Sequence, residues 1–121
     1  MSRVLIYQLI HLSGVLMVFL SFGALIARAW LQPENIKLRK FGGIVSGIGL
    51  FLILLGGFGL LARVYGNEWY PWVIVKLVVW LLLGAMLAFI NRKPQLAPVW
   101  FWTTLVLGFV SVSMVYIKPG M

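Results

Sequence analysis

Two ionisable side chains, His11 and Lys76, lie inside long apolar runs of the sequence. An ionisable group among apolar residues is costly unless it faces a partner, a cavity or the aqueous boundary. Histidine offers a ring nitrogen that can ligate a metal, and lysine offers a cation that can pair with an acidic group. These two residues are therefore the first candidates for chemistry in this chain.

The composition removes several kinds of reaction site. The chain has no cysteine and one histidine, and its acids, Glu34 and Glu68, lie outside the apolar runs. Cysteine-ligated clusters are excluded, a zinc site cannot be assembled, and hydrolysis by paired carboxylates is unsupported. One histidine is enough for an axial haem ligand. A haem- or quinone-dependent redox site therefore remains as the chemical candidate.

The apolar runs that carry these residues are long enough to cross a membrane. The sequence is 63% hydrophobic and 10% charged, whereas soluble domains carry roughly 25% charged residues. A helix needs about 20 apolar residues to span the hydrocarbon core, and barrel strands would alternate in polarity. The pattern predicts helices at residues 4–27, 41–62, 72–90 and 99–117 within one domain, residues 1–121. Short connections predict an all-α, antiparallel up-down four-helix bundle.

The basic residues predict how this bundle is oriented. Loop one, residues 28–40, and loop three, residues 91–98, lie on the side that holds six basic residues, against three on the other side. The positive-inside rule then places loops one and three on the cytoplasmic side of a bacterial inner membrane. Loop two, residues 63–71, and both termini are placed on the opposite side. The first run is longer than the core of a signal peptide, so we expect it to be retained. Lipid headgroups, rather than nucleic acid, are the expected partners of the cations.

His11 and Lys76 are predicted to lie at one level of the bundle. His11 follows Arg3 by eight residues, about 12 Å along a helix, and Lys76 follows Pro71 by five, about 7.5 Å. Both distances start from the same outer surface, so the two side chains share a leaflet. Gly14 lies on the helix face of His11 and would leave room beside the imidazole.

A haem site made from these residues would use His11 as ligand to the haem iron. Arg63 and Lys76 are placed to pair with propionates near the surface, and Gly14 would give the ring space. Glycines on the second helix would let a flat ligand approach; they are Gly56, Gly57 and Gly59. The predicted cofactor-binding residues are therefore His11, Lys76, Gly14 and Arg63.

Each of these residues also has a structural interpretation. Lys76 can snorkel to the headgroups, and His11 can form an interhelical hydrogen bond with Lys76, Ser111, Ser113 or Tyr116. The two serines can instead bond carbonyls of their own helix. Most glycines of the second helix are expected to serve tight packing; they are Gly42, Gly43, Gly47, Gly49 and the pair Gly56-Gly57.

The order of landmarks along the chain resembles that of a superfamily of small bacterial membrane proteins. The landmarks are His11, Arg28, the pair Gly56-Gly57, Trp69, Pro71, Trp72 and Lys76. The superfamily includes the four-helix protoporphyrinogen oxidase, the copper-resistance D family and the SirB-like family, to which this chain is closest in size. The resemblance covers the first three helices and matches His11 and Lys76 to a recurrent histidine and lysine. For the oxidase branch it implies ligation of haem b and oxidation of a porphyrinogen.

The sequence therefore supports two main functional hypotheses. The first is a redox membrane protein that binds haem or a quinone at His11. The second is a non-catalytic accessory or assembly subunit, which binds a larger membrane complex or its own copies through glycine-lined faces. A small-solute transporter is a third hypothesis, although the polar residues cluster in one leaflet rather than along a path. Whether the chain is an enzyme is left open.

Overall fold

The computed structural model describes residues 2–64, 66 and 68–117, and its regular elements are all helical. The long helices are α1 (Arg3–Leu31), α2 (Ile36–Val64), α3 (Pro71–Arg92) and α4 (Ala97–Tyr116), and a short 3-10 helix, Pro94–Leu96, precedes α4. Four helical segments are long and apolar enough to cross a membrane. The prediction of an all-α chain with four apolar helices is thus confirmed, and the described residues contain no strand.

The connection between α1 and α2 is shorter than predicted. Loop one was expected at residues 28–40, but α1 continues to Leu31 and α2 begins at Ile36. Lysine and arginine are good helix formers, so a helix can continue after its apolar run has ended. The side-chain oxygen of Asn35 accepts a hydrogen bond from the N–H of Leu38 at 3.0 Å and so satisfies a first-turn donor of α2. The basic residues mark the end of the apolar run and not the end of the helix.

The third connection is also more helical than expected. Loop three was predicted at residues 91–98, whereas α3 reaches Arg92 and α4 begins at Ala97. Pro98 lies in the first turn of α4, and Pro71 takes the first position of α3. Proline is tolerated there because the first N–H groups of a helix have no intrahelical acceptor. Pro71 and Pro98 therefore stand at the beginnings of helices.

Helices α1 and α2 form the closest helix pair, because glycine lets their backbones meet. A Cβ atom added at Gly56 would lie 2.6 Å from the backbone nitrogen of His11, and one at Gly42 would lie 2.7 Å from Cδ2 of Leu25. Residue numbers therefore fall along α2 as they rise along α1. Three of the glycines that meet α1 recur every seven residues, at Gly42, Gly49 and Gly56, and Gly59 lies against the ring of Tyr7. A seven-residue repeat keeps one helix face against its partner.

Two other glycines of α2 do not share this packing role. A Cβ atom at Gly43 or Gly47 would meet no atom within 4 Å among the described residues. Gly43 and Gly47 therefore do not serve tight packing among the described helices. The physical reason is their position, since each lies one residue past a buried position of α2 and so points away from α1.

The buried core lies at the end of the bundle near loops one and three. There Phe22 of α1 and Ile90 of α3 are fully buried, together with Ala97 at the start of α4. Toward loop two the bundle is looser, because α2 packs mainly on α1 and α3 mainly on α4. A cleft is left between α2 and α3 at that end, and it holds the candidate site.

Candidate functional site

A cavity of about 570 Å³ lies where α1, α2 and α3 separate toward loop two. Most of its wall is apolar, and its polar lining side chains outside the aromatic residues are Gln8, His11 and Lys76. The two ionisable residues that the sequence places at one level therefore line a single cavity. Its size and mostly apolar wall are typical of small-molecule sites.

The imidazole of His11 is held by the backbone of α2. Its Nδ1 lies 2.9 Å from the carbonyl oxygen of Ile53. A carbonyl oxygen can only accept, so Nδ1 carries the proton and donates, and in the neutral ring Nε2 keeps the lone pair. Gly56 lets the α2 backbone approach His11, and a Cβ atom at Gly57 would come no closer than 3.6 Å to the ring. Close helix packing thus determines both the position and the tautomer of the ring.

The side chains of α4 that were candidate partners of His11 lie elsewhere. The hydroxyl of Ser113 donates to the carbonyl of Phe109 at 2.8 Å, within its own helix. Tyr116 is 83% exposed, and the α4 residue that lines the cavity is Val115. Ser111 does not line the cavity either. Ser113 thus follows the alternative prediction of a bond within its own helix, and a backbone carbonyl of α2 is the hydrogen-bond partner of His11.

Lys76 is half-buried and projects into the same cavity between two tryptophans. Trp72 and Trp80 lie one turn before and after it on α3, and all three residues line the cavity. The ammonium group is within electrostatic reach of the His11 ring. The indole N–H of Trp80 donates to the carbonyl of Leu50 at 2.8 Å and so ties α3 to α2 beside the cavity. Lysine and imidazole are thus held on facing helices.

Aromatic rings form much of the remaining wall. The rings of Trp69 and Phe58 lie with their centroids 5.8 Å apart, which links the residues before α3 to α2. Trp69, Trp72 and Trp80 were not among the site residues predicted from the sequence. The sequence does carry a signal for two of them, because Trp72, Lys76 and Trp80 recur at four-residue intervals and must share one helix face.

The structure does not bring Gly14 or Arg63 to the cavity. A Cβ atom at Gly14 would lie 2.6 Å from the carbonyl oxygen of Gly49, so this glycine faces α2. Arg63 is exposed near the end of α2 and is not a lining residue. The space beside the imidazole, which was predicted at Gly14, lies instead at Gly57.

The arrangement offers one neutral ring nitrogen, one cation and a set of flat apolar walls. Among the described residues, no three His, Cys, Asp or Glu side chains come together as metal ligands. A metal held by protein ligands alone is therefore unsupported there, whereas a flat amphipathic ligand suits the site. Comparison of the chain with protein-family models, with curated proteins and with solved structures found no match.

Proposed function

We propose that this chain is an integral protein of a bacterial inner membrane that binds a redox ligand, haem b or a quinone, in the cavity between His11 and Lys76. Its outer faces carry large apolar side chains, such as Leu20 at 74% exposure and Phe109 at 68%. Such faces suit lipid and not water. The pairing of α1 with α2 supports an antiparallel up-down bundle. The six-to-three distribution of basic residues supports termini outside the cytoplasm.

The observation that carries this proposal is the hydrogen bond from His11 to Ile53. Histidines that ligate metals usually donate their second ring N–H to a carbonyl, a carboxylate or water. His11 donates its Nδ1–H to a helix carbonyl in this way, and the bond leaves the Nε2 lone pair for a ligand. The same bond would suit a purely structural histidine, and the cavity that His11 shares with Lys76 is what favours a ligand.

The residues of the site fit haem. His11 would hold the iron through Nε2, Lys76 would pair with a propionate, and Trp72 and Trp80 would contribute apolar wall. When bound, haem supplies one-electron redox chemistry. The protein would supply a single axial nitrogen and an apolar environment, both of which influence the potential of the iron. The absence of acidic side chains from the cavity wall also suits the negatively charged propionates.

The decisive experiment is an absorption spectrum of the purified protein and of its His11→Asn variant. The asparagine amide can take over the donor role of Nδ1 toward Ile53, but it offers no nitrogen ligand to iron. We expect a haem Soret band in the wild type and its loss in the variant, at unchanged helical content and with equal unfolding midpoints for the two haem-free proteins. A band that survives in His11→Asn would refute ligation by His11.

Quinone binding is tested in the same preparation if the protein is colourless. A quinone carbonyl would accept a hydrogen bond from the Lys76 ammonium, and its ring would lie between the tryptophans. Replacing Lys76 by methionine should weaken binding of a soluble ubiquinone analogue about tenfold, since hydrogen bonds to charged groups contribute about 1.5–3 kcal/mol. Lys37→Met, which removes a cation far from the cavity, is the matched control. Equal affinities for the two variants would contradict a quinone site at Lys76.

A second function is favoured by a separate observation. Gly43 and Gly47 lie one turn apart on α2, with open space where their side chains would be. Small residues at this spacing let another membrane helix approach closely. An accessory subunit that docks on a larger complex, or on its own copies, would use this surface. Colourless protein that co-purifies with other membrane proteins, and loses them in Gly47→Leu, would support this role over a redox site.

A further inference from the structure

A second cavity lies at the opposite end of the bundle from His11. It measures about 450 Å³ and is lined by Arg39, Lys40 and Asn91, with Gly43 and Ile44 on its apolar side. The cavity is thus basic toward loop one and apolar toward the middle of α2. Neither cationic side chain makes an ion pair or a hydrogen bond with the described residues.

The buried guanidinium group of Arg28 lies behind this cavity. Arg28 is 3% exposed, and its Nη1 donates to the carbonyl of Pro33 while its Nη2 donates to Oδ1 of Asn91 at 3.3 Å. Both acceptors are neutral, and Nε of Arg28 has no partner among the described residues. Asn91 is itself fixed by a bond from its Nδ2 to Leu87 at 3.2 Å. Asn91 therefore connects the buried guanidinium to the cavity wall.

The end of the bundle near loops one and three carries an excess of positive charge. Arg39 lies within electrostatic reach of the buried Arg28 and repels it, whereas Glu34 attracts it. Glu34 is the one acid against six basic residues at this end. The first residue of α2, Ile36, also lines the cavity, and the start of a helix carries partial positive charge. An anion placed between Arg39 and Lys40 would relieve this repulsion. Arginine and lysine together are the side chains that bind phosphate groups.

We propose that this cavity binds the phosphate group of an anionic phospholipid. The basic side would hold the headgroup, and the open surface at Gly43 would leave room for an acyl chain along α2. Basic pockets between membrane helices are known to take lipid headgroups. The inference relies on the membrane location proposed above and is independent of any redox ligand.

The test is native mass spectrometry of the detergent-purified full chain with added phosphatidylglycerol or phosphatidylcholine. The variant R39Q/K40Q removes the cavity cations. The control R92Q/K93Q removes the same charge from exposed positions at the same end of the bundle, outside the cavity. We expect affinity for phosphatidylglycerol to fall about tenfold or more in the first variant and about twofold in the second, because the exposed cations act on the headgroup only through a field that salt screens. Circular dichroism confirms that both variants keep their helices.

Each outcome of this test bears on the proposal. A preference for phosphatidylglycerol that is lost in R39Q/K40Q and withstands excess inorganic phosphate supports a lipid site. Equal losses in the two variants would show diffuse attraction to the basic end and would overturn it. Displacement of the lipid by inorganic phosphate would assign the cavity to a free anion instead. A chain that stays soluble without detergent would refute the membrane location itself. Failure of the membrane location is thus distinguishable from failure of the lipid site alone.

Discussion

The contact between α1 and α2 predicts a strong effect of one added methyl group, in the variant Gly56→Ala. The new Cβ atom would lie 2.6 Å from the backbone nitrogen of His11, 2.7 Å from its Cβ and 2.8 Å from its Cα. None of these atoms can rotate away, because all belong to the backbone or to the root of the side chain. Reaching ordinary contact requires the helices to separate by roughly 1 Å.

The size of the effect follows from comparison with Gly47→Ala. Overpacking a close contact costs about 1–3 kcal/mol. Replacing glycine by alanine in a helix also contributes up to about 1 kcal/mol of stability, but this gain acts equally at both positions. A Cβ atom at Gly47 meets nothing within 4 Å. We therefore expect the free energy of unfolding of Gly56→Ala to be about 1–3 kcal/mol below that of Gly47→Ala.

The assay is unfolding by sodium dodecyl sulfate in mixed micelles, followed by tryptophan fluorescence. The same protein samples report on the site, because Gly56 lies against His11 and any separation of the helices moves the imidazole from Ile53. Binding of the proposed redox ligand at His11 should therefore weaken in Gly56→Ala and not in Gly47→Ala. If the two variants unfold at the same detergent fraction, the close approach of α1 and α2 at this level is wrong.

Three further predictions use the same chain. Ser46→Ala removes the buried 2.6 Å hydroxyl contact with Ser21 and should lower the free energy of unfolding by about 0.5–1.5 kcal/mol, measured by the same titration. Trp80→Phe removes the 2.8 Å hydrogen bond to α2 and should lower the free energy of unfolding by about 1 kcal/mol. An unchanged free energy of unfolding would contradict this bond between α3 and α2. Cysteines in place of Lys37 and Glu68 test orientation: an impermeant maleimide applied to intact cells should label position 68, and labelling at 37 alone would reverse the topology.

The number and type of the helices could be predicted from the sequence because lipid-length apolar runs have few alternative structures. Their ends could not. The basic residues between the first two runs were assigned to a loop, but Lys37, Arg39 and Lys40 belong to α2. Apolar content is lost where a helix leaves hydrocarbon, whereas hydrogen bonding along the helix continues as long as the residues favour it. Composition therefore shows where the apolar run ends, but it carries little information on where the helix itself ends.

For the candidate site, the sequence by itself determined the level of His11 and Lys76, because depth along a helix is a simple count of residues. Only the tertiary structure decided which neighbours meet them. The partner of His11 is the carbonyl of Ile53, a group that every residue carries, so no side-chain pattern could point to it. The distinction between Gly56, which receives His11, and Gly47, which faces outward, depends on how α2 is rotated against α1. That rotation is set by packing between helices and is not encoded in any local run of residues.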